Sequence, residues 1–352
     1  MRIVLHGPSG PTGLGYSVQG FVEGLQAIGH EVYWQAPPGM RNVDGQGDKP
    51  EIDNSWSVSG YHLIIDQPQQ LDQRMPWHGF VPFFELPLRQ DEWSQVKAGV
   101  MNRRIYCANP FIEKWAKQCN LPADYDKIRM IQLGAHTHPR IGVERKSQTI
   151  CTVGKAEPRK GTWLLLEALQ LIAKKAHLAI VHPLHNQEEQ NKIFEWSQDH
   201  TVLPFTRRRD EILALLESCH VAVFPACAEG WNLGLTEALA RGCIVVASDI
   251  DAHRYQYELL VAGIGEDAAS KRMLLVPTEE RPIRPHARWY PLSHYAGQKW
   301  LECNVETLAS YIMSALSLPS PKAWEKDEFP LSWENAARQL LEAIDFPAMM
   351  TN

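Results

Sequence analysis

No stretch of this 352-residue chain holds the roughly 20 consecutive apolar residues that a membrane-crossing helix needs. The strongest apolar run, Trp163-Leu-Leu-Leu166, is broken by Glu167, and its helical pattern ends in Lys174-Lys175. The N-terminus passes from Arg2 through three apolar residues to His6-Gly7, without the apolar core of a secretory signal, so a cytoplasmic protein is expected. Positive charge is not in excess: 35 Lys and Arg face 41 Asp and Glu, and the net charge of −6 argues against a general nucleic-acid partner. The seven cysteines form no Cys-x-x-Cys pair, which points to reduced core thiols and not to a disulfide frame. His136-x-His138 lacks a third ligand nearby, and Asp249-Ile-Asp251 reads as a strand-end cap and turn, so no metal is expected. The first glycine loop contains Gly13 and Gly15 but neither a complete G-x-G-x-x-G nor a Walker lysine.

What is present is alternation. Short apolar runs at 2–5, 31–34, 61–66, 80–84 and 105–108 each precede a polar or helical stretch, the pattern of a doubly wound α/β domain. A polar stretch at 142–147 is the expected linker, and a second alternation starts at Thr149. The most informative segment lies between Val221-Ala-Val-Phe-Pro225 and Ile244-Val-Val-Ala247. It holds a loop with Glu229, Gly230 and Gly234, a helical pattern from Leu235 to Arg241, and a closing Gly242. A helix N-terminus at such a loop offers free N–H groups and partial positive charge to a phosphate. Glu229 and Glu237 flank it, and a carboxylate repels phosphate, so these two suit hydroxyls. The segment reads as a sugar-nucleotide site. Upstream, Gly154-Lys155 and Lys160-Gly161 bracket a strand-to-helix loop, a cationic phosphate loop in composition.

The segment Glu229-Gly-Trp-Asn-Leu-Gly-Leu-Thr-Glu-Ala-Leu-Ala-Arg-Gly242 resembles the EGFGLxxxEAMAxG signature of the family-4 retaining glycosyltransferases (glycosyltransferase group 1), with Trp231 for Phe and Asn232 for Gly. Three other segments agree. Residues 154–161 resemble the family's GRxxxxKG loop, with Lys155 for Arg. Residues 244–255 resemble its VVASDxGG segment, with Asp251-Ala252 in place of the glycine pair. Leu331-Ser-Trp-Glu resembles the start of its closing helix, FSWExxAxxLL. The resemblance covers about 149–260 and the last helix, and the first domain only by its alternation and first loop.

The resemblance implies a GT-B fold: two Rossmann-like domains facing across a cleft, at 1–146 (acceptor side) and 147–330 (nucleotide-sugar side), with residues 331–352 as a helix crossing back to the first. It implies sugar transfer from a nucleotide-diphosphate sugar with retained anomeric configuration and without a metal or cofactor. Lys160 and Lys155 would neutralise the diphosphate with the N–H groups of Leu233, Gly234 and Leu235. Asn232 would stand where backbone approaches the donor, Glu237 would hold ribose hydroxyls and Glu229 the donor sugar. Gly13 and Gly15 would face the phosphates and the acceptor. The catalytic contribution falls to Glu229 and Lys160, by electrostatic stabilisation of the leaving group. The acceptor stays open among saccharide, lipid, protein, small molecule and modified nucleic acid. A catalytically inactive nucleotide-sugar-binding scaffold, or another GT-B enzyme such as a sugar-nucleotide epimerase, is the alternative. An aromatic and basic stretch at 277–300 suits an acceptor by stacking and charge, or a structural insertion.

Overall fold

The computed structural model describes residues 2–7, 13–35, 61–66, 79–82, 104–118, 128–155, 158–174, 176–180, 195, 200–204, 209–283, 298–325 and 328–344. The chain forms two compact units: Met1–Ala135 with Leu331–Asn352, and His136–Pro330. Among the described residues no helix is long and apolar enough to cross a membrane.

The first unit is built on β1 (Arg2–His6), β2 (Glu31–Gln35), β3 (Tyr61–Asp66), β4 (Gly79–Pro82), β5 (Arg104–Cys107) and β6 (Ile128–Met130). They form one parallel sheet in the order β2-β1-β3-β4-β5-β6. Such a sheet is covered on its faces, so its strands run as continuous apolar stretches, and Ile3, Val4, Leu5, Leu63 and Ile65 are fully buried. Helix α1 (Gly13–Ala27) packs Val18, Phe21 and Leu25 into the core. Helix α2 (Pro110–Gln118) follows β5, its first turn satisfied by the Asn109 side chain, which accepts from the Ile112 amide at 3.0 Å.

The last helix, α9 (Trp333–Ala343), belongs to this unit. Ser332 caps it by accepting from the Asn335 amide at 3.1 Å. Trp333 lies edge-on to Phe21, with ring centroids 5.4 Å apart. Glycine is required opposite it: a Cβ on Gly20 would stand 2.0 Å from the indole, and one on Gly24 2.3 Å from the Trp333 carbonyl oxygen. The buried face consists of Trp333, Ala336, Ala337, Leu340 and Ala343. Leu341, at a position the spacing also admits to the apolar face, is half-buried, because the small alanines bring the backbone close on the other side.

The second unit repeats the plan with β7 (Ile150–Gly154), β8 (His177–Ile180), β9 (Thr201–Pro204), β10 (Val221–Phe224), β11 (Ile244–Ser248) and β12 (Met273–Val276). The order is β12-β11-β10-β7-β8-β9, all parallel. From β7 the chain builds outward one way and from β10 the other, so the topological switch lies between them. Ligands of open α/β sheets bind beyond the strand ends at that point. Helices α3 (Thr162–Leu171), α4 (Arg209–Ser218), α5 (Leu233–Ala240), α6 (Asp251–Ile264), α7 (Glu266–Ser270) and α8 (Val305–Ser317) complete the unit. Helix α3 is shorter than the Thr162–Ala176 pattern, because Ala173 takes a left-handed φ of 50°.

The unit boundary falls between Ala135 and His136, upstream of the expected 142–147 linker. Charge explains the difference. The amides of Ile141 and Gly142 donate to the Glu217 carboxylate at 3.1 and 3.0 Å, and the fully buried Arg241 donates to the Pro139 carbonyl at 2.7 Å. Arg145 in turn donates to the carbonyls of Arg241 and Gly242. The polar stretch is thus docked on the second unit. The six described cysteines are buried, and burial pushes the Cys107 thiol well above its ordinary value and the Cys303 thiol up to about 12.

The stretch at 277–300 contributes an antiparallel hairpin, β13 (Thr278–Pro282) and β14 (Lys299–Cys303). Trp300 is buried and its indole N–H donates to Glu302 at 3.2 Å, so it packs inside and offers no stacking face. Residues 284–297 lie outside the described residues, as do Glu85, a candidate acceptor-side carboxylate, and nearly all of the helical pattern at 192–199.

Candidate functional site

Two loops meet at the switch point of the second sheet: 155–161 after β7 and 225–232 after β10. The first contains a 3-10 turn, Pro158–Lys160, closed by Gly161 in the left-handed region at φ 64°. Only glycine fits there, since a Cβ would stand 1.9 Å from the Pro225 carbonyl oxygen. The loops are tied directly. The Cys227 amide donates to the Arg159 carbonyl at 2.7 Å, and the Arg159 guanidinium donates to the Ala228 carbonyl at 3.2 Å.

Glu229 sits where the loops join. It is buried, with Arg159 at 2.9 Å on one carboxylate oxygen and Lys160 on the other. Burial alone pushes a carboxyl pKa up, but the charges of Lys160 and Arg159 and the Lys160 hydrogen bond outweigh it and hold Glu229 down to about 2. Arg159 is itself buried at 7 % exposure, and an arginine is seldom buried without such a partner. Lys155, Lys160, Glu229 and Asn232 line one narrow cavity with Gly154, Thr162 and Phe224.

Asn232 precedes α5 and adopts φ 77°, which is why a glycine suits this position and why asparagine is a workable substitute. Its side-chain amide meets His253 Nε2 at 2.9 Å, while His253 Nδ1 lies 2.8 Å from the Ser248 carbonyl. The loop is fastened further from α6: Gln256 donates to the Trp231 carbonyl and accepts from Thr236 at 2.8 Å, and the Trp231 indole donates to Thr236 at 2.8 Å. Helix α5 starts at Leu233, two residues before the helical pattern expected from Leu235. The Leu235 amide donates to the Asn232 carbonyl at 3.1 Å and its side chain is fully buried, so Leu235 is a core residue whose N–H is already engaged. The amides of Leu233 and Gly234 make no backbone bond among the described residues. Gly234 packs close to the Val153 carbonyl, where a Cβ would stand at 3.3 Å.

Glu237, one turn into α5, is buried and accepts from Arg209 at the start of α4 through Oε1. By composition the basic turn at 207–209 suits a diphosphate, an anionic acceptor or solvent; Arg209 is instead the partner of Glu237, and Arg207 and Arg208 lie outside the described residues. Gly13 and Gly15 stand at the start of α1 in the first unit, with Gly15 buried. The site thus brings together Lys155, Lys160, Glu229 and Asn232, with Leu233, Gly234 and Glu237 on the adjoining helix. It adds Arg159 and His253, which motif reading passed over, and gives Arg209 a partner inside the site. Asp249 is engaged by Arg254 through two bonds of 2.8 and 2.6 Å. Among the described residues no three His, Cys, Asp or Glu side chains come together as a metal set.

Residues 147–278 match the family model described as glycosyl transferases group 1. No curated protein sequence matches the chain. Among solved structures, sucrose-phosphate synthase from Thermosynechococcus elongatus superposes with a TM-score of 0.60 at 15% identity, covering 100% of this chain and 98% of its own. The UDP-forming alpha,alpha-trehalose-phosphate synthase from Burkholderia xenovorans, in complex with glucose-6-phosphate, gives 0.58 at 11% identity, with 100% of both chains covered. Anabaena HepE, in complex with UDP and glucose, gives 0.57 at 12% identity, covering 100% of this chain and 98% of its own. The fold is therefore that of the GT-B glycosyltransferases along the whole chain.

Proposed function

We propose that this GT-B protein, whose residues 147–278 match the group 1 glycosyl transferase model, moves a sugar from a nucleoside-diphosphate sugar to an acceptor hydroxyl with retention of anomeric configuration and without a metal. The observation that carries the reading is the cation cluster of Lys155, Arg159 and Lys160 around Glu229 at the switch point. Beside it stand the amides of Leu233 and Gly234, at the positive end of α5. A diphosphate placed there meets cations and amides and needs no added dication. The complex of Anabaena HepE with UDP and glucose fits a donor of this class.

The chemistry follows from charge. When the bond between the anomeric carbon and the phosphate oxygen breaks, its electron pair stays on that oxygen. Lys155, Lys160 and the amides of Leu233 and Gly234 stabilise the charge as it develops. The acceptor hydroxyl attacks the face the diphosphate leaves, and its proton passes to the departing phosphate oxygen. Glu229, held at about 2, stays ionised at neutral pH and so serves as a fixed counter-charge and not as a proton donor. It positions Lys160 and accepts donor-sugar hydroxyls. Glu237 keeps Oε2 for the ribose hydroxyls while Arg209 holds Oε1. Gly13 and Gly15 are assigned to the acceptor side.

Release of nucleoside diphosphate and labelled product from a panel of UDP-, ADP- and GDP-sugars tests the reading. Lys160→Ala should lower kcat by roughly a hundredfold to a thousandfold, the scale for a group that stabilises developing charge. Excess chelator should change nothing. A fully active Lys160→Ala removes the lysine from the chemistry, and loss with chelator restored by magnesium or manganese overturns the metal-free mechanism. Binding without any turnover across the panel favours the scaffold reading.

A further inference from the structure

The proposed donor site contains an asparagine side chain where the resembling family has no side chain at all, and a buried histidine fixes how it points. His253 is fully buried on α6, one turn before Gln256. Its Nδ1 faces the Ser248 carbonyl at 2.8 Å, and a carbonyl can only accept, so Nδ1 carries the ring proton. Burial first of all, and Lys160 with it, lowers the pKa of the ring to about 4 against the opposing pull of Glu229, so the imidazole is neutral and Nε2 holds a lone pair. Nε2 lies 2.9 Å from Asn232, which must therefore turn its NH₂ toward the ring. That leaves the side-chain oxygen of Asn232, Oδ1, without a hydrogen bond among the described residues, since it does not cap α5 either. It lies 3.7 Å from the point where a Gly234 Cβ would stand, and Asn232 lines the same cavity as Lys160 and Glu229.

We infer that Asn232 is a donor-sugar specificity residue, whose Oδ1 accepts a hydrogen bond from a hydroxyl or amide N–H of the transferred sugar, and that His253 is the positioning residue that keeps this oxygen facing the sugar. The orientation is not left to chance. The chain Ser248 carbonyl, His253, Asn232 has a donor and an acceptor matched at each step, and flipping the amide would set two acceptors against each other. Gln256 fixes the Trp231 carbonyl next door, so the backbone under Asn232 does not drift. The inference rests on the donor-site reading above and narrows it to the sugar moiety, because nothing in this chain of bonds reaches toward a base or a ribose.

The test compares calorimetric Kd values for UDP and UDP-glucose, ADP and ADP-glucose, and GDP and GDP-mannose. The quantity read is the gain in affinity that the sugar confers over its own nucleotide. Asn232→Gly should cut that gain roughly fivefold or more, the loss of one neutral hydrogen bond, while the nucleotide Kd stays within about twofold. His253→Phe, which removes the acceptor for the amide, should do the same. His253→Gln places an amide oxygen near the Nε2 position and should restore the gain, which a merely structural histidine would not predict. If His253→Phe does not fold, Asn232→Gly and His253→Gln decide. An unchanged gain in Asn232→Gly, or a nucleotide Kd that moves in step with the nucleotide-sugar Kd, overturns the role of Asn232. A His253→Gln that behaves like Asn232→Gly overturns that of His253. A wild-type protein that binds none of the six ligands overturns the donor-site reading itself, an outcome distinct from both.

Discussion

Two seams in this molecule are closed by opposite means. In the first unit α9 is held to α1 by an indole pressed onto glycines, with Trp333 over Gly20 and Gly24 and against Phe21. In the second unit the 155–161 and 225–232 loops are held by Arg159 and Lys160 on Glu229, and by His253 on Asn232. The first seam is non-directional and shape-limited, and Trp333, Gly20, Gly24 and Phe21 carry no titrating group. The second is directional and charged, and another anion can compete for its cations. A protein that must keep one contact permanently and open another to a ligand is served by this division: packing closes what stays closed, and charge closes what has to exchange.

The comparison predicts different failures. The largest effect is expected at the apolar seam. Trp333→Ala should destabilise the first unit by about 3–5 kcal/mol, the range for emptying a buried aromatic site. Chemical denaturation should show that loss to be the same at pH 5 and pH 8. A loss that changes with pH would mean the seam has a charged component. Deletion from Leu331 onward should be at least as damaging, and a soluble, fully active chain of residues 1–330 would show the helix to be dispensable.

Acid should open the charged seam in two steps. His253 has a depressed pKa, about 4 against an ordinary 6.5, so the unfolded chain takes up its proton at higher pH than the folded one. Its contribution is complete above pH 6.5 and is lost as pH falls from 6.5 to 4, on the order of 3 kcal/mol. Glu229 is depressed from 4.5 to about 2, so its contribution is complete above pH 4.5 and is lost as pH falls toward 2, by a similar amount of about 3 kcal/mol. Melting of the second unit against pH should show both windows, with His253→Phe removing the upper and Glu229→Gln the lower. A flat profile between pH 6.5 and 4 in the wild type would show that the imidazole takes up its proton in the fold as readily as in the unfolded chain.

The smallest effect is expected at Glu237. Glu237→Gln should weaken nucleotide binding by about 1–3 kcal/mol while leaving the fold intact, since an amide accepts fewer and weaker bonds than a carboxylate. Unchanged affinity by calorimetry would take Glu237 out of the site.

How much of this the sequence disclosed follows from distance along the chain. The alternation that sets both sheets, the cationic loop with Lys160, and the Glu229–Glu237 helix are local patterns, so they are legible. The chemistry that joins the loops is not local. Arg159 meets Glu229 across 70 positions, and Arg209 meets Glu237 across 28. Arg159 is adjacent to Lys160, and only its burial separates it from an ordinary surface arginine. Asn232 was visible as a departure from a glycine, but the φ of 77° that explains the glycine, and the histidine 21 positions on that turns the amide, exist only in the fold. The stretch at 142–147 reads as a linker because its residues look solvated, and the partners of Gly142 and Arg145, Glu217 and Arg241, lie some 75 and 96 positions away.

The first unit is discontinuous in sequence, and this orders its synthesis. Residues 136–330, the whole second unit, are made before α9, which the first unit needs. The seat for Trp333, formed by Gly20, Gly24 and Phe21, stays open from the moment α1 emerges until α9 is made. At about 5–20 residues per second that is on the order of tens of seconds during which an apolar slot faces water. The earlier-made half of the chain is therefore the later to mature, and it is the half most exposed to chaperones and to aggregation on the way.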